Sequence, residues 1–234
     1  MSMIRRITFA LAIGSVSAFA AHSQAPSYLP DTAVDLMRLI APPPVPGSAA
    51  NDAELAELHK LQSVRTPAQV EYAQADQTVS VFRFADSLDT AKFKEKALPA
   101  TAALFQRVVA SASALSEKAK KDFARPRPFA TDTSLHPVLG RPTNASYPSG
   151  HSLCGNAMAI VLADLLPERR GTIFARGWLF AKQRPLGGVH YPSDIEAGRI
   201  CAAVVVARLW QEPAFRADLE AARKELRLVY PAPK

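Results

Sequence analysis

The stretch Ala145-Ser-Tyr-Pro-Ser-Gly-His-Ser-Leu-Cys-Gly-Asn156 joins a proline-rich loop to a long apolar run, and its reading decides the fold. Pro148 and Pro167 bound a segment, Ser149 to Leu166, with no proline between them. Serine at its head is a preferred helix cap, so the segment reads as a helix starting at Ser149. The first turn of a helix carries unpaired N–H groups and the positive end of the dipole. Gly150 and His151 stand in that turn, at a place suited to an anion.

Working outward, proline and glycine cut the rest of the chain into further helical lengths. Towards the N-terminus, Asp31 to Ile40 reads as a helix ended by the proline run at 42–46. Asp52 to Val64 carries Leu55, Leu58 and Leu61 at three-residue spacing. Thr66-Pro67 is a cap followed by proline at the first helical position, for a helix running to about Phe84. Asp89 to Lys96 reads as a short helix, and Pro99 to about Phe123 as a long one with Leu104, Val108 and Leu115 on one side. Residues 125–148 are too rich in proline and turn formers to be helical. Beyond the opening segment, Glu168 to Lys182 is a helix, Arg184 to Pro192 a turn holding Gly187-Gly188, Ser193 to Gln211 a helix capped by Ser193, and Pro213 to Leu228 the last. No window alternates with a period of two. The expectation is an all-α, single-domain bundle of about eight to ten helices.

Composition agrees. The 234 residues are 48% hydrophobic, enough for one domain with a core of its own. Residues 1–25 read as a signal peptide: Arg5 and Arg6 precede the apolar run Ile7 to Ala20, and small residues follow. That run is short for a membrane span, and no later stretch is better. The expected division is 1–25 cleaved leader and 26–234 functional domain, exported to the periplasm or beyond and free of the membrane after cleavage. The leader holds two arginines and no acid, so its loss lowers the formal charge from +7 to +5. Without a basic stripe this surplus does not point to nucleic acid; it suits a small anionic substrate. Cys154 and Cys201 have no zinc-type spacing; they are either one disulfide or two buried thiols.

Charged residues gather at the helix–loop junctions. Lys120 sits in the last turn of the long helix, and Arg127 follows it in the proline-stiffened loop. Ser149, Gly150 and His151 form the second junction. At the third, Arg184 precedes His190 by six positions and Asp194 follows it by four. A phosphoryl group brings about −1.5 to −2 charges and three acceptor oxygens. Lys120, Arg127, Arg184, the Ser149 hydroxyl and the Gly150 amide together match that demand. Two histidines can then divide the chemistry, one imidazole attacking phosphorus and the other protonating the leaving oxygen. Asp194, four residues beyond His190, is placed to fix its tautomer.

K-x6-R-P, P-S-G-H and R-x5-H-x3-D together resemble the phosphatidic acid phosphatase type 2 and vanadium haloperoxidase superfamily, and within it the class A bacterial non-specific acid phosphatases. The resemblance covers most of residues 26–234. It implies an all-α acid phosphatase with His190 as phosphorylated nucleophile, His151 as general acid and Asp194 as orienting carboxylate. It implies that Lys120, Arg127, Ser149, Gly150 and Arg184 hold the phosphate, with no metal or other cofactor and with vanadate or phosphate as inhibitors. Gln183 departs from the pattern, which has serine there. Lys118 and Arg125 also satisfy the first spacing; the Arg127-Pro-Phe sequence favours Lys120 and Arg127, with Arg125 as a supporting neighbour.

Taken singly, each residue has a plainer explanation: Ser149 as a cap, Asp194 as a dipole partner, the three cations as surface, and His59 and His136 as ordinary polar positions. Their combination favours a phosphate site and a small phosphomonoester substrate. The alternatives are a vanadate-dependent haloperoxidase, a lipid-phosphate phosphatase and a non-catalytic anion-binding protein. The sequence leaves open whether copies assemble into a homo-oligomer.

Overall fold

The computed structural model describes residues 26–88 and 91–231; the expected leader at 1–25 lies outside them. Among the described residues the chain forms eight α-helices, four short 3-10 turns and no strand. The α-helices are α1 (Ala49–Val64), α2 (Pro67–Ala75), α3 (Pro99–Phe123), α4 (Pro128–Thr131), α5 (Gly150–Leu165), α6 (Arg170–Leu186), α7 (Pro192–Leu209) and α8 (Pro213–Val229). No helix among them is long and apolar enough to cross a membrane.

The opening stretch starts the central helix. α5 packs most extensively against α7, α6 and α3, and also touches α8. It is buried on nearly every side, so Leu153, Ala157, Met158, Val161, Leu162 and Leu165 cover all its faces rather than one stripe. Each fully buried Leu or Met of this kind contributes about 1.5–3 kcal/mol. Two glycines let neighbours come close. A Cβ on Gly155 would lie 2.7 Å from Cδ1 of Phe180 on α6, and one on Gly198 of α7 would lie 2.5 Å from the Ser149 carbonyl oxygen. The second approach brings the start of α7 against the start of α5.

α3 has the bounds its sequence announces. Pro99 opens it, and the amides of Ala100 and Thr101 donate to the Glu225 carboxylate of α8 at 2.9 and 2.8 Å. Leu104, Val108, Ala112, Leu115 and Ala119 bury one face, which ends on Lys120. Ala124, in the left-handed region at φ 50°, closes the helix and turns the chain into the loop towards α5.

Other boundaries depart from the sequence reading for local reasons. Only Leu36–Arg38 winds in the first segment, as a 3-10 turn. The capping box at Thr66 and Gln69 forms, but α2 stops at Ala75, and Val81–Ser87 winds separately as a 3-10 turn. Asp76 ends α2 because its carboxylate is pulled into the interior by Arg83 and Arg176. Between Asp89 and Lys96, the described part holds only the start of the 3-10 turn Glu95–Ala97. α6 runs through Arg184 and Pro185, which read as a turn. Proline so near a helix end removes only one late hydrogen bond. The cap of α7 is Tyr191 rather than Ser193: Pro192 takes the first helical position, and Asp194 reaches back to the Tyr191 amide at 2.9 Å.

Candidate active site

The loop after α3, the start of α5 and the turn between α6 and α7 meet around a cavity of about 510 Å³. Lys120, Arg127, Gly150, His151, Arg184 and His190 all lie on its wall, so residues spread over the second half of the chain share one space. Of the two registers, Lys120 and Arg127 are the pair on the cavity wall. Lys118 is exposed on another side of α3, whereas Lys120 is only 5% exposed and faces the cavity. Arg125 passes beneath the site.

His190 is 3% exposed. Its Nδ1 lies 3.0 Å from Oδ2 of Asp194, and its Nε2 accepts a hydrogen bond of 2.8 Å from Nη1 of Arg127. An arginine can only donate, so Nε2 carries the lone pair and Nδ1 the proton. Burial, then the nearby Arg127 charge, brings the His190 pKa down to about 3 despite the hydrogen bond that His190 donates to Asp194. The imidazole therefore stays neutral well into the acid range.

Asp194 is fully buried and keeps its charge by being saturated with donors. Nη1 of Arg125 donates to Oδ1 at 2.7 Å, while Ser146 Oγ, at 2.5 Å, and the Tyr191 amide donate to Oδ2. Burial alone would raise its pKa; the His190 hydrogen bond, the Arg125 charge and the Ser146 hydroxyl hold it below the usual carboxylate range. Arg125 in turn donates to Glu54 of α1 at 2.7 Å, and its guanidinium lies 3.7 Å from the Tyr191 ring centroid. Glu54 also accepts from the Ser193 amide at 2.6 Å. Sequence reasoning missed Glu54 and Ser146. Ser146 sits inside the opening stretch, but nothing in the spacing of α1 marks Glu54.

The opposite wall is cationic. Arg127 is anchored by Asn144, whose carbonyl accepts from Nε at 3.0 Å and whose Oδ1 accepts from Nη2 at 2.7 Å. Arg184 is 3% exposed, yet its Nη2 has only the Ala73 carbonyl at 3.5 Å and its Nε has no partner. Burial lowers both guanidinium pKa values to about 10, which leaves them charged at any neutral or acid pH. Lys120 is shifted down by burial and by Arg127, and pairs loosely with Glu117 at 3.4 Å.

His151 stacks on Phe180 with ring centroids 5.8 Å apart, and its Nε2 lies 3.2 Å from the Gln77 carbonyl. Burial, and secondarily the Arg184 charge, pushes its pKa well below the usual histidine value. Two residues stand apart from the cavity wall. Ser149 caps α5 by accepting from the Ser152 amide at 3.3 Å. Gln183 lines a different cavity, of about 820 Å³, between α6 and the first helices. Cys154 and Cys201 are both buried and free, and no group of three or more His, Cys, Asp or Glu among the described residues could hold a metal ion.

The helical bundle thus closes a cationic cavity around two imidazoles, one of them backed by a buried carboxylate. The PAP2 superfamily profile matches residues 101–217, which include every residue of the cavity wall named so far except Gln77. The chain belongs to the PAP2 superfamily. It is 32% identical over 203 residues to a non-specific acid phosphatase of Providencia stuartii, covering 82% of this chain and 81% of the relative. It is 30% identical over 232 residues to a non-specific acid phosphatase of Salmonella typhimurium, covering 95% and 92%. In fold it is similar to a bacterial vanadium-dependent iodoperoxidase, with a TM-score of 0.54 and 18% identity over 74% of this chain and 52% of that one.

Proposed function

We propose that this chain is an exported, metal-independent acid phosphatase that hydrolyses small phosphomonoesters by double displacement through a phosphohistidine. The observation that carries this reading is the buried Arg184, a guanidinium lining the cavity with almost no acceptor of its own. A buried charge left so poorly paired costs several kcal/mol unless a partner arrives, and an oxyanion is the partner whose geometry it fits. The acid phosphatase names of the relatives that align over most of the chain point the same way.

In this reading Arg184, Lys120, Arg127 and the Gly150 amide grip the phosphoryl oxygens and supply the positive charge that a metal provides elsewhere. Arg127 exchanges its bond to His190 Nε2 for one to phosphate, which frees the lone pair. Nε2 attacks phosphorus while the ester oxygen leaves with a proton from His151. Asp194 holds Nδ1–H and balances the charge that develops on the ring. Water then cleaves the P–N bond, with His151 now acting as base.

The perturbed histidines predict an acid working range. His190 remains an unprotonated nucleophile down to about pH 3. His151 is disfavoured as imidazolium by burial, Arg184, His190 and Lys120. A phosphate bearing about −1.5 to −2 charges offsets those cations and restores the donor form within the complex. Lower pH helps His151 before it harms His190, so the rate profile is bell-shaped with its maximum below neutrality. The test is phosphate release from a chromogenic monoester by the purified chain across pH, with and without chelator. Activity on the acid side that survives EDTA supports the reading. Activity lost with chelator and restored by a divalent metal, or none at any pH, contradicts it.

A further inference from the structure

α3 offers the cavity more than Lys120. One turn earlier on the same face stands Ser116, which also lines the cavity. Its side chain is fully buried, and its Oγ has no hydrogen-bond partner. A buried hydroxyl left unpaired carries a desolvation cost, and a mid-helix serine has an easy remedy in the carbonyl four residues back. Ser111, on the same helix, takes that remedy: its Oγ donates to the Arg107 carbonyl at 2.8 Å. Ser116 does not.

Its surroundings show where that hydroxyl is aimed. A Cβ built on Gly150 would lie 3.2 Å from Ser116 Oγ and 4.0 Å from Lys120 Nζ, so the serine, the lysine and the first glycine of α5 flank one point. Ser149, by contrast, accepts the Ser152 amide as the cap of α5 and lies off the cavity wall, and Gln183 lines the other cavity. We propose that Ser116 is a substrate-binding residue whose hydroxyl donates to a phosphoryl oxygen beside Lys120 and the Gly150 amide. This rests on the phosphatase reading and adds a donor from α3 to the oxyanion cage.

A ligand-facing hydroxyl and a structural one respond oppositely to removal. In Ser116→Ala the unpaired group is gone, so the unfolding temperature holds or rises while phosphate is gripped less well. The experiment measures kcat/KM for a chromogenic monoester, inhibition by inorganic phosphate and by vanadate, and thermal unfolding with and without phosphate. It does so for the wild type, Ser116→Ala and Ser116→Cys, the last keeping the volume with a poor donor. Loss of one hydrogen bond to an anionic oxygen predicts a fall in kcat/KM and in phosphate affinity of about ten-fold or more in both variants. The stabilisation by added phosphate shrinks with it. Unchanged kinetics and phosphate affinity overturn the proposal, as does a loss that comes with a lowered unfolding temperature. Wild-type turnover with unaltered variants sinks Ser116 alone. A wild-type chain that neither turns over the ester nor is stabilised by phosphate sinks the phosphatase reading with it.

Discussion

Arg176 and Arg184 lie two turns apart on α6 and are equally hidden, at 4% and 3% exposure. Arg176 is saturated. It donates to both oxygens of Asp76 at 2.8 and 3.0 Å, to both oxygens of Asp86 at 2.9 and 3.1 Å, and to the Arg83 carbonyl at 2.9 Å. Burial opposes its charge, but the Asp76 hydrogen bonds and charge more than compensate, and its pKa rises. Arg184 has one long contact and a depressed pKa. The same residue type on the same helix at the same depth is a tie-bar in one place and an open hand in the other. Burial of a charge does not mark a site; burial without a partner does.

The largest effect that bears on this contrast is at the carboxylate behind His190. Asp194→Asn keeps the shape but cannot hold the same tautomer, and turnover is expected to fall about 10⁴-fold. Steady-state assay with correction for folded fraction measures it, and a loss under ten-fold would detach Asp194 from the chemistry.

The arginines themselves give the next two effects, which should dissociate. Arg176→Met leaves Asp76 buried without its main partner and is expected to cost about 3–5 kcal/mol of stability, with turnover per folded molecule near wild type. Arg184→Met keeps the aliphatic stem and removes a poorly paired charge. It is expected to leave stability level or higher while lowering kcat/KM by about 10²–10³-fold. Denaturant unfolding beside kinetics separates the two; if both variants lose the same property, the contrast is false.

A smaller effect is read in pH. His190 has a folded-state pKa of about 3, below the ~6.5 of an unfolded histidine. The unfolded chain therefore binds more protons between those values, and stability falls as pH drops through that window. Above about pH 6.5 this contribution is fully present. His190→Gln lacks the group, so its unfolding temperature should decline less than that of the wild type between pH 6.5 and 3.

The contrast also explains what could be read from sequence alone. α3 was legible because proline opens it and its apolar period is regular. The three junctions were legible because each carries its groups within a few positions. Partners from distant segments were not: Glu54 and Asn144 reach the site only when α1 and the loop before α5 are folded against it. The pairing of Arg176 with Asp76, 100 residues away, was hidden for the same reason. The misplaced end of α6 and start of α7 share another cause, since proline and serine act by position within the turn. Pro185 is tolerated at a helix end, and Pro192 makes Tyr191 rather than Ser193 the cap.

The central claim is that one cationic cavity presents His190 Nε2 to phosphorus. Rapid quenching of the enzyme with a radiolabelled monoester, under alkaline conditions that preserve phosphohistidine, followed by peptide mapping, tests it directly. The account predicts label on the peptide containing His190, none in His190→Ala, and label that accumulates when His151 is replaced and an activated ester is used. Label on any other residue, or turnover without a trapped phosphoenzyme in both wild type and the His151 variant, would contradict it.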